Sequence, residues 1–434
     1  MDDGFEWFET FANLERTGRF SERTYKLDRM EELAEAAGRP EKAFRSIHLA
    51  GSKGKGSTAA FVASILESAG YKTGIYTSPH LQDYRERIAL PGAFFDDRLL
   101  LEAMHKVRNS LAYRNKPGDP PTTFELLTLC AFLAFQEAGC QWGVIETGLG
   151  GRLDSTNIIT PSASVLTPLE LEHTDVLGST LEEIASEKAG IIKPGIPVYM
   201  GMQDQKVERI FRQKAEETGS RFYSLRQELT GFITETRISG TSLSAEFRSG
   251  RTLDCTLSLA GRHQGENACL AALCIDSLSR EGHIGEVSPQ QTADGLSRAR
   301  LPGRFEIMRA DPPLILDSAH TPGSIRQTLQ TLQEISPDRG ICIFGAVSGK
   351  DIRGMANILA PAFRRIIISK PGVFKKSDPE ETFRVFREIH PEIELEPEPS
   401  SALEKALKFS AGHLPVLVTG SFYMASEIRK LLRS

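Results

Sequence analysis

Three things are missing from this 434-residue sequence, and each absence removes a class of protein. No Cys-x-x-Cys pair occurs among Cys130, Cys140, Cys255, Cys269, Cys274 and Cys342. Most of these sit among apolar neighbours and read as buried free thiols of a reducing cytosol, not as a disulfide framework or a zinc site. There is no basic excess: 52 Lys+Arg against 57 Asp+Glu leave a formal charge of −5. Nucleic-acid surfaces rely on clustered cations, so no nucleic-acid partner is expected. There is also no long apolar run. Leu126 to Phe135 is the most apolar stretch, and a bilayer-spanning helix needs about 20 such residues. The opening MDDGFEWFETF has no basic or apolar signal segment, so no secretory signal is expected. A cytoplasmic protein with no membrane partner is the resulting expectation. No internal repeat or low-complexity tract stands out.

What remains is an ordinary globular composition, 40% hydrophobic and 25% charged. At about 150 residues per domain, the length suggests two or three domains. Short apolar runs alternate with amphipathic segments, which points to an α/β fold. RSIHLA (45–50), Tyr71 to Tyr76, Trp142 to Glu146 and Ala163 to Pro168 read as strands. Ser57 to Ala69, Leu99 to Ala112, Thr123 to Gly139 and Thr180 to Ala189 read as helices. GFITETRI and LSAEFRS alternate with period two, predicting antiparallel strands at the edge of the first domain. A helix over Gly265 to Ser279 follows, then SRARLPGR (297–304), the best candidate linker. The α/β alternation restarts with PLILDSAH, GICIFGAV, RIIISK and LPVLVTGS. The expected organisation is a large N-terminal P-loop-type domain over 1–296, with a mostly parallel sheet. The linker joins it to a smaller Rossmann-like α/β domain over 305–434.

IHLAGSKGKGST sets Gly51, Gly54 and Gly56 around Lys53 and Lys55, between a strand and a helix. Glycines let backbone N–H groups turn onto phosphate oxygens, and a helix N-terminus adds a favourable dipole. A lysine there reaches the β/γ-phosphates, and Ser57 or Thr58 can ligate Mg²⁺. The strict G-x-x-x-x-G-K-[ST] spacing is not met, because Gly56 separates Lys55 from Ser57. Glu146 ends a strand, at the edge where open α/β sheets gather ligands, and a hard oxygen donor there suits Mg²⁺. On spacing alone, other residues read more plainly. His173 is a structural hydrogen-bonder, and Lys188 a solvated lysine near a helix C-terminus. Asn267 caps a helix. Arg304, Asp317 and His320 supply local turn chemistry.

Together, and in order along nearly the whole chain, these segments resemble the folylpolyglutamate synthase/dihydrofolate synthase family, a branch of the Mur ligases. IHLAGSKGKGST is similar to the family's IHVAGTNGKGST, and VIETGLGGRLDSTN to VLEVGLGGRLDATN. YTSPHLQDYRERI, FELLTLCAFLAF, ELEHTDVLGSTLEEIASEKAGIIKPG, GRHQGENA, LPGRFE, LDSAHTP and LVTGSFY match further landmarks. The resemblance implies nucleotide contacts from Gly51, Ser52, Lys53, Gly54, Lys55, Gly56, Ser57 and Thr58, and from Asn267, Arg304, Asp317 and His320. It implies a Mg²⁺ contact from Ser57, and a second Mg²⁺ next to the γ-phosphate held by Ser78, Glu146 and His173 with the help of Lys188 as a carbamate. It also puts Pro79 and His80 on the folate side. Three departures stand out. Lys53 replaces Asn, Ser318 and Thr321 turn DGAHNP into DSAHTP, and Gly349 opens a GKD segment in place of DKD.

The activity implied is ATP-dependent addition of L-glutamate to dihydropteroate or a reduced folate. A carboxylate is a poor electrophile, so the γ-phosphoryl of ATP first makes it an acyl phosphate, which the amine then attacks. Lys188, His173 and Glu146 would form the catalytic set, with His173 as a metal ligand. Closure about 297–304 would gate the reaction, and a monomer is expected. Two other readings stay open: a Mur-like ligase for a different carboxylate, and a non-catalytic ATP-binding paralogue.

Overall fold

The computed structural model describes residues 2–13, 27–114, 116 and 118–433, which fall into two compact units. Unit one comprises 1–233, 244–255 and 266–300; unit two comprises 234–243, 256–265 and 301–434. The division between residues 300 and 301 falls within SRARLPGR, whose first two residues are the last turn of a helix, Pro289–Arg298.

Unit one is built on eight strands: β1 (Arg45–Ala50), β2 (Thr73–Tyr76), β3 (Ile88–Leu90), β4 (Ala93–Phe94), β5 (Trp142–Glu146), β6 (Ala163–Leu166), β7 (Val198–Met200) and β8 (Phe222–Ser224). Their order is β4-β3-β2-β5-β1-β6-β7-β8. From β2 to β8 every pairing is parallel; β3 and β4 add antiparallel. Strands β1, β5 and β6 are almost wholly buried, as central parallel strands with both faces covered must be.

The helix Thr123–Glu137 shows why an apolar run too short for a membrane exists at all. Leu126 through Phe135 are buried all round it, and a helix apolar on every face belongs inside a protein. Its start is fixed by a capping box in which Thr122 and Glu125 bond each other's backbone N–H. The buried Glu125 carboxylate also accepts from Arg29 Nε at 2.9 Å, so neither charge is left unpaired.

Period-two segments do form strands, but not as an antiparallel edge of the large sheet. That edge is β8, parallel to β7. Strands β9 (Leu229–Arg237), β10 (Gly240–Phe247) and β11 (Thr252–Leu257) make a separate three-stranded sheet. Alternation reports one buried and one exposed face, as β10 shows residue by residue. It carries no information on which sheet a strand joins.

Unit two contains β12 (Glu306–Ala310), β13 (Pro313–Leu316), β14 (Gly340–Phe344), β15 (Phe363–Ile368), β16 (Ile393–Leu395) and β17 (Val416–Thr419), in the order β12-β13-β17-β14-β15-β16. Only β12 is antiparallel. Both units are therefore α/β with mostly parallel sheets. Five cysteines are buried and Cys255 is half-buried, all as free thiols. Among the described residues no helix is long and apolar enough to cross a membrane.

Phe132 is fully buried, with its ring 6.1 Å from that of Phe44. Phe132→Ala is expected to cost about 3–5 kcal/mol through lost burial and a residual cavity. A urea unfolding curve checks this as a lowered midpoint.

Candidate functional site

Strand β1 ends at Ala50, and the loop that follows turns on glycines for stated reasons. A Cβ on Gly51 would lie 1.9 Å from Thr167 Oγ1, so no side chain fits. Gly54 is left-handed at φ +81 and caps the helix Lys55–Ser68 without a side chain, leaving the first-turn N–H groups to a ligand. A Cβ there would meet Asn267 Oδ1 at 2.5 Å, which sets Asn267 of the helix Arg262–Arg280 directly against the loop. The helix begins two residues earlier than the sequence pattern predicts, so Lys55, Gly56, Ser57 and Thr58 form its first turn. Ser52, Ser57 and Thr58 are buried, and Thr58 Oγ1 has no hydrogen-bond partner among the described residues.

Two lysines converge on one carbonyl. Lys55 Nζ donates to Gly51 O at 3.0 Å, and Lys188 Nζ donates to the same oxygen at 2.7 Å. Lys188 is the last residue of the helix Leu181–Lys188 and only 2% exposed. The solvated lysine read from its position alone is thus corrected: the helix end faces the protein interior. Burial, reinforced by Lys55, pushes the Lys188 ammonium down to about 7, against the pull of Glu172 and Asp154.

Glu146, 4% exposed at the end of β5, lies 3.8 Å from Lys55 Nζ and accepts from the backbone N–H of Ser78 at 3.3 Å. The turn after it is tied down by Asp154, which accepts from Leu149 N at 2.8 Å and from Thr156 N and Oγ1. Ser78 joins Pro79 through a cis bond. His80 Nδ1 accepts from Arg87 Nε at 2.7 Å, and its ring packs 4.2 Å from Tyr84.

His173 is exposed, left-handed at φ +51, and opens the short helix Thr174–Leu177. Beside it stands Glu172, to which sequence reasoning assigned no role. Burial opposes its charge, but Lys55, Lys188, Lys53 and His173 outweigh it and hold the carboxyl down at about 2. The only signal for it in the sequence was its place next to a candidate ligand. Among the described residues no group of three or more His, Cys, Asp or Glu forms a metal cage.

In unit two, Asp317 and His320 follow β13, and Arg304 precedes β12. Arg304 lies over the Phe422 ring at 4.4 Å, and the His320 ring is 6.3 Å from the same ring. His320 Nδ1 is 2.9 Å from Ser318 O. Asp317 accepts from Phe305 N, Ala319 N and Thr328 Oγ1, so its carboxylate already braces the turn. Two of the departures are absorbed locally: Ser318 Oγ donates to Gly303 O, and Thr321 caps the helix Pro322–Ile335 through a capping box with Ser324. Gly349 is left-handed at φ +82, and Asp351, which GKD shares with DKD, caps Ile352–Leu359.

Comparison with known proteins shows the family and the fold. Residues 49–275 match the Mur ligase middle domain, and 303–422 the Mur ligase glutamate ligase domain. The chain is 34% identical over 413 residues to a Bacillus subtilis dihydrofolate synthase/folylpolyglutamate synthase, covering 94% of this chain and 95% of that protein. It is 31% identical to a folylpolyglutamate synthase of Lacticaseibacillus casei, over 98% of this chain and 97% of that one. The Mycobacterium tuberculosis folylpolyglutamate synthase, solved with ADP and AMPPCP, superposes with a TM-score of 0.87 at 26% identity, covering 94% and 96% of the two chains. A folylpolyglutamate synthase solved with AMPPCP and folate gives 0.84 at 28% identity, over 100% and 99%.

Between about pH 7 and 10, Lys188 is neutral when folded and charged when unfolded, so stability gains with rising pH by up to about 1.4 kcal/mol per unit. Below pH 7 the full burial penalty stands. Lys188→Met removes this dependence. Its stability relative to the parent is expected to be more favourable at pH 6.5 than at pH 9.5, read from paired urea midpoints.

Proposed function

Because this chain belongs to the folylpolyglutamate synthase/dihydrofolate synthase family of Mur ligases, we propose that it joins L-glutamate to dihydropteroate, a reduced folate, or both, at the expense of ATP. The observation that carries the reading is the convergence of Lys55 and Lys188 on Gly51 O, beside the buried Glu146.

The loop 51–58 binds the nucleotide phosphates through its backbone N–H groups and Lys55. Lys55 then neutralises charge on the transferring γ-phosphoryl group, a reaction governed by positioning and electrostatics. An acceptor carboxylate oxygen attacks that phosphorus and ADP leaves, giving the acyl phosphate. The glutamate amine attacks its carbonyl carbon, and phosphate departs. Asn267, Arg304, Asp317 and His320 are assigned to the nucleotide by their match to the family pattern, and Pro79 and His80 to the folate side by the same match.

A divalent ion fits the donors present. Mg²⁺ takes one or two carboxylates and completes its shell with phosphate oxygens and water, so it needs no ready-made cage. Glu146 is such a carboxylate, and Ser78, His173 and a carbamylated Lys188 would complete its set, while Ser57 would contact a first Mg²⁺ at the nucleotide phosphates. When bound, the ion supplies charge neutralisation at the phosphates. Lys188 suits the modification because its amine is half neutral near pH 7, and CO₂ adds only to a neutral amine. We further assign a monomer in a reducing cytoplasm, in keeping with the free thiols, and a hinge at 297–304.

A paired assay with ATP, Mg²⁺ and glutamate, offering dihydropteroate in one tube and tetrahydrofolate in the other, is expected to yield a glutamylated product in at least one. Tight ATP binding without product from either acceptor would refute the ligase reading. Lys188→Ala should lower kcat about 100-fold or more in bicarbonate buffer; near-normal turnover would remove the carbamate from the mechanism.

A further inference from the structure

The segment between β6 and the helix Thr174–Leu177 is stapled to the phosphate loop. The backbone N–H groups of Ser52 and Lys53 both donate to Pro168 O at 3.0 Å, and Ser52 Oγ donates to Glu170 O at 3.1 Å. These bonds hold two carboxylates against Lys53. Its Nζ is 3.8 Å from Glu170 Oε2 and 3.7 Å from Glu172 Oε2. The other oxygen of Glu172, Oε1, lies 4.0 Å from Lys188 Nζ. One carboxylate therefore stands between a loop lysine and the buried lysine. The distances mark ion pairs without direct hydrogen bonds, so neither lysine is locked to it.

We propose that Lys53 is a positioning residue for modified Lys188: by pairing with Glu172, it offsets the negative charge that this carboxylate sets against a carbamate. The inference rests on the carbamate reading above. In that step the Nζ lone pair forms an N–C bond to CO₂. One C=O electron pair moves onto oxygen, and the amine gives up a proton to solvent. The side chain ends as an anion. Attraction between Lys188 and Glu172 thereby becomes repulsion between two anions in a largely buried site, where charge interactions are poorly screened. A cation on the far oxygen of Glu172 reduces that repulsion. Glu170 keeps the cation in place from its other side. Lys53 stands where the loop of the family it resembles carries Asn.

The test follows the carbamate itself. Nucleotide-free protein without added metal is titrated with ¹³C-bicarbonate at fixed pH, and the carbamate carbon is observed by NMR. Lys53→Met is expected to raise the bicarbonate concentration for half occupancy about tenfold. Lys53→Arg keeps the charge and should stay near the parent value, which a merely structural role of the lysine stem would not require. Glu172→Gln should lower the half-point. In Glu172→Gln protein, a further Lys53→Met should still raise the half-point, but by less than in the parent, since Lys53 also acts on Lys188 directly and loses the carboxylate that holds it there. Thermal midpoints identify variants that fold; if Lys53→Met does not, the Glu172→Gln shift decides. An unchanged half-point in the folded Lys53→Met protein, or in Glu172→Gln, overturns the proposal and leaves the carbamate reading standing. A parent protein with no carbamate signal at saturating bicarbonate, either without metal or with added Mg²⁺, overturns both.

Discussion

The carbonyl of Gly51 is the point on which the site depends. It follows the end of a buried central strand and accepts hydrogen bonds from Lys55 and Lys188 together. Two ammonium groups brought to one oxygen repel each other, and burial penalises the charge of Lys188. The arrangement persists because carboxylates surround it: Glu146 beside Lys55, and Glu172 beside Lys188 and Lys53. Burial, reinforced by Lys55 and opposed by the carboxylates, lowers the affinity of Lys188 for its proton to about 7, so that its amine is available near neutral pH.

The scaffold explains why the carbonyl is so well placed. Strands β5, β1 and β6 lie side by side and parallel, so their C-terminal ends deliver Glu146, the phosphate loop and the 167–172 segment to one edge. Thr167 fills the space where a side chain on residue 51 would sit, and Asn267 does the same for residue 54. These contacts make the glycines a packing requirement as well as a conformational one. Asp154 adds a brace from the third side, by gathering the backbone of the turn after Glu146.

Departures from the family pattern fall into two kinds. Ser318 and Thr321 are absorbed by a local hydrogen bond and a helix cap. Lys53 differs because its charge reaches across to two carboxylates on a separate segment. A substitution in a loop is thus tied to residues more than a hundred positions away, and only tertiary structure makes that tie visible.

By itself the sequence determined the α/β class, the strands β1 and β5 to the residue, and the glycine-rich loop that joins β1 to the next helix, because these follow from local periodicity and glycine spacing. Ordered motifs along the chain also identified the family. Tertiary structure alone decided that the end of the helix Leu181–Lys188 points inward, that Glu172 is shared between two lysines, and that β9 to β11 form a sheet of their own. Local pattern reports which face of an element is apolar and where it starts. It is silent on what packs against a given end, and burial and charge neighbours set the chemistry of Lys188 and Glu172.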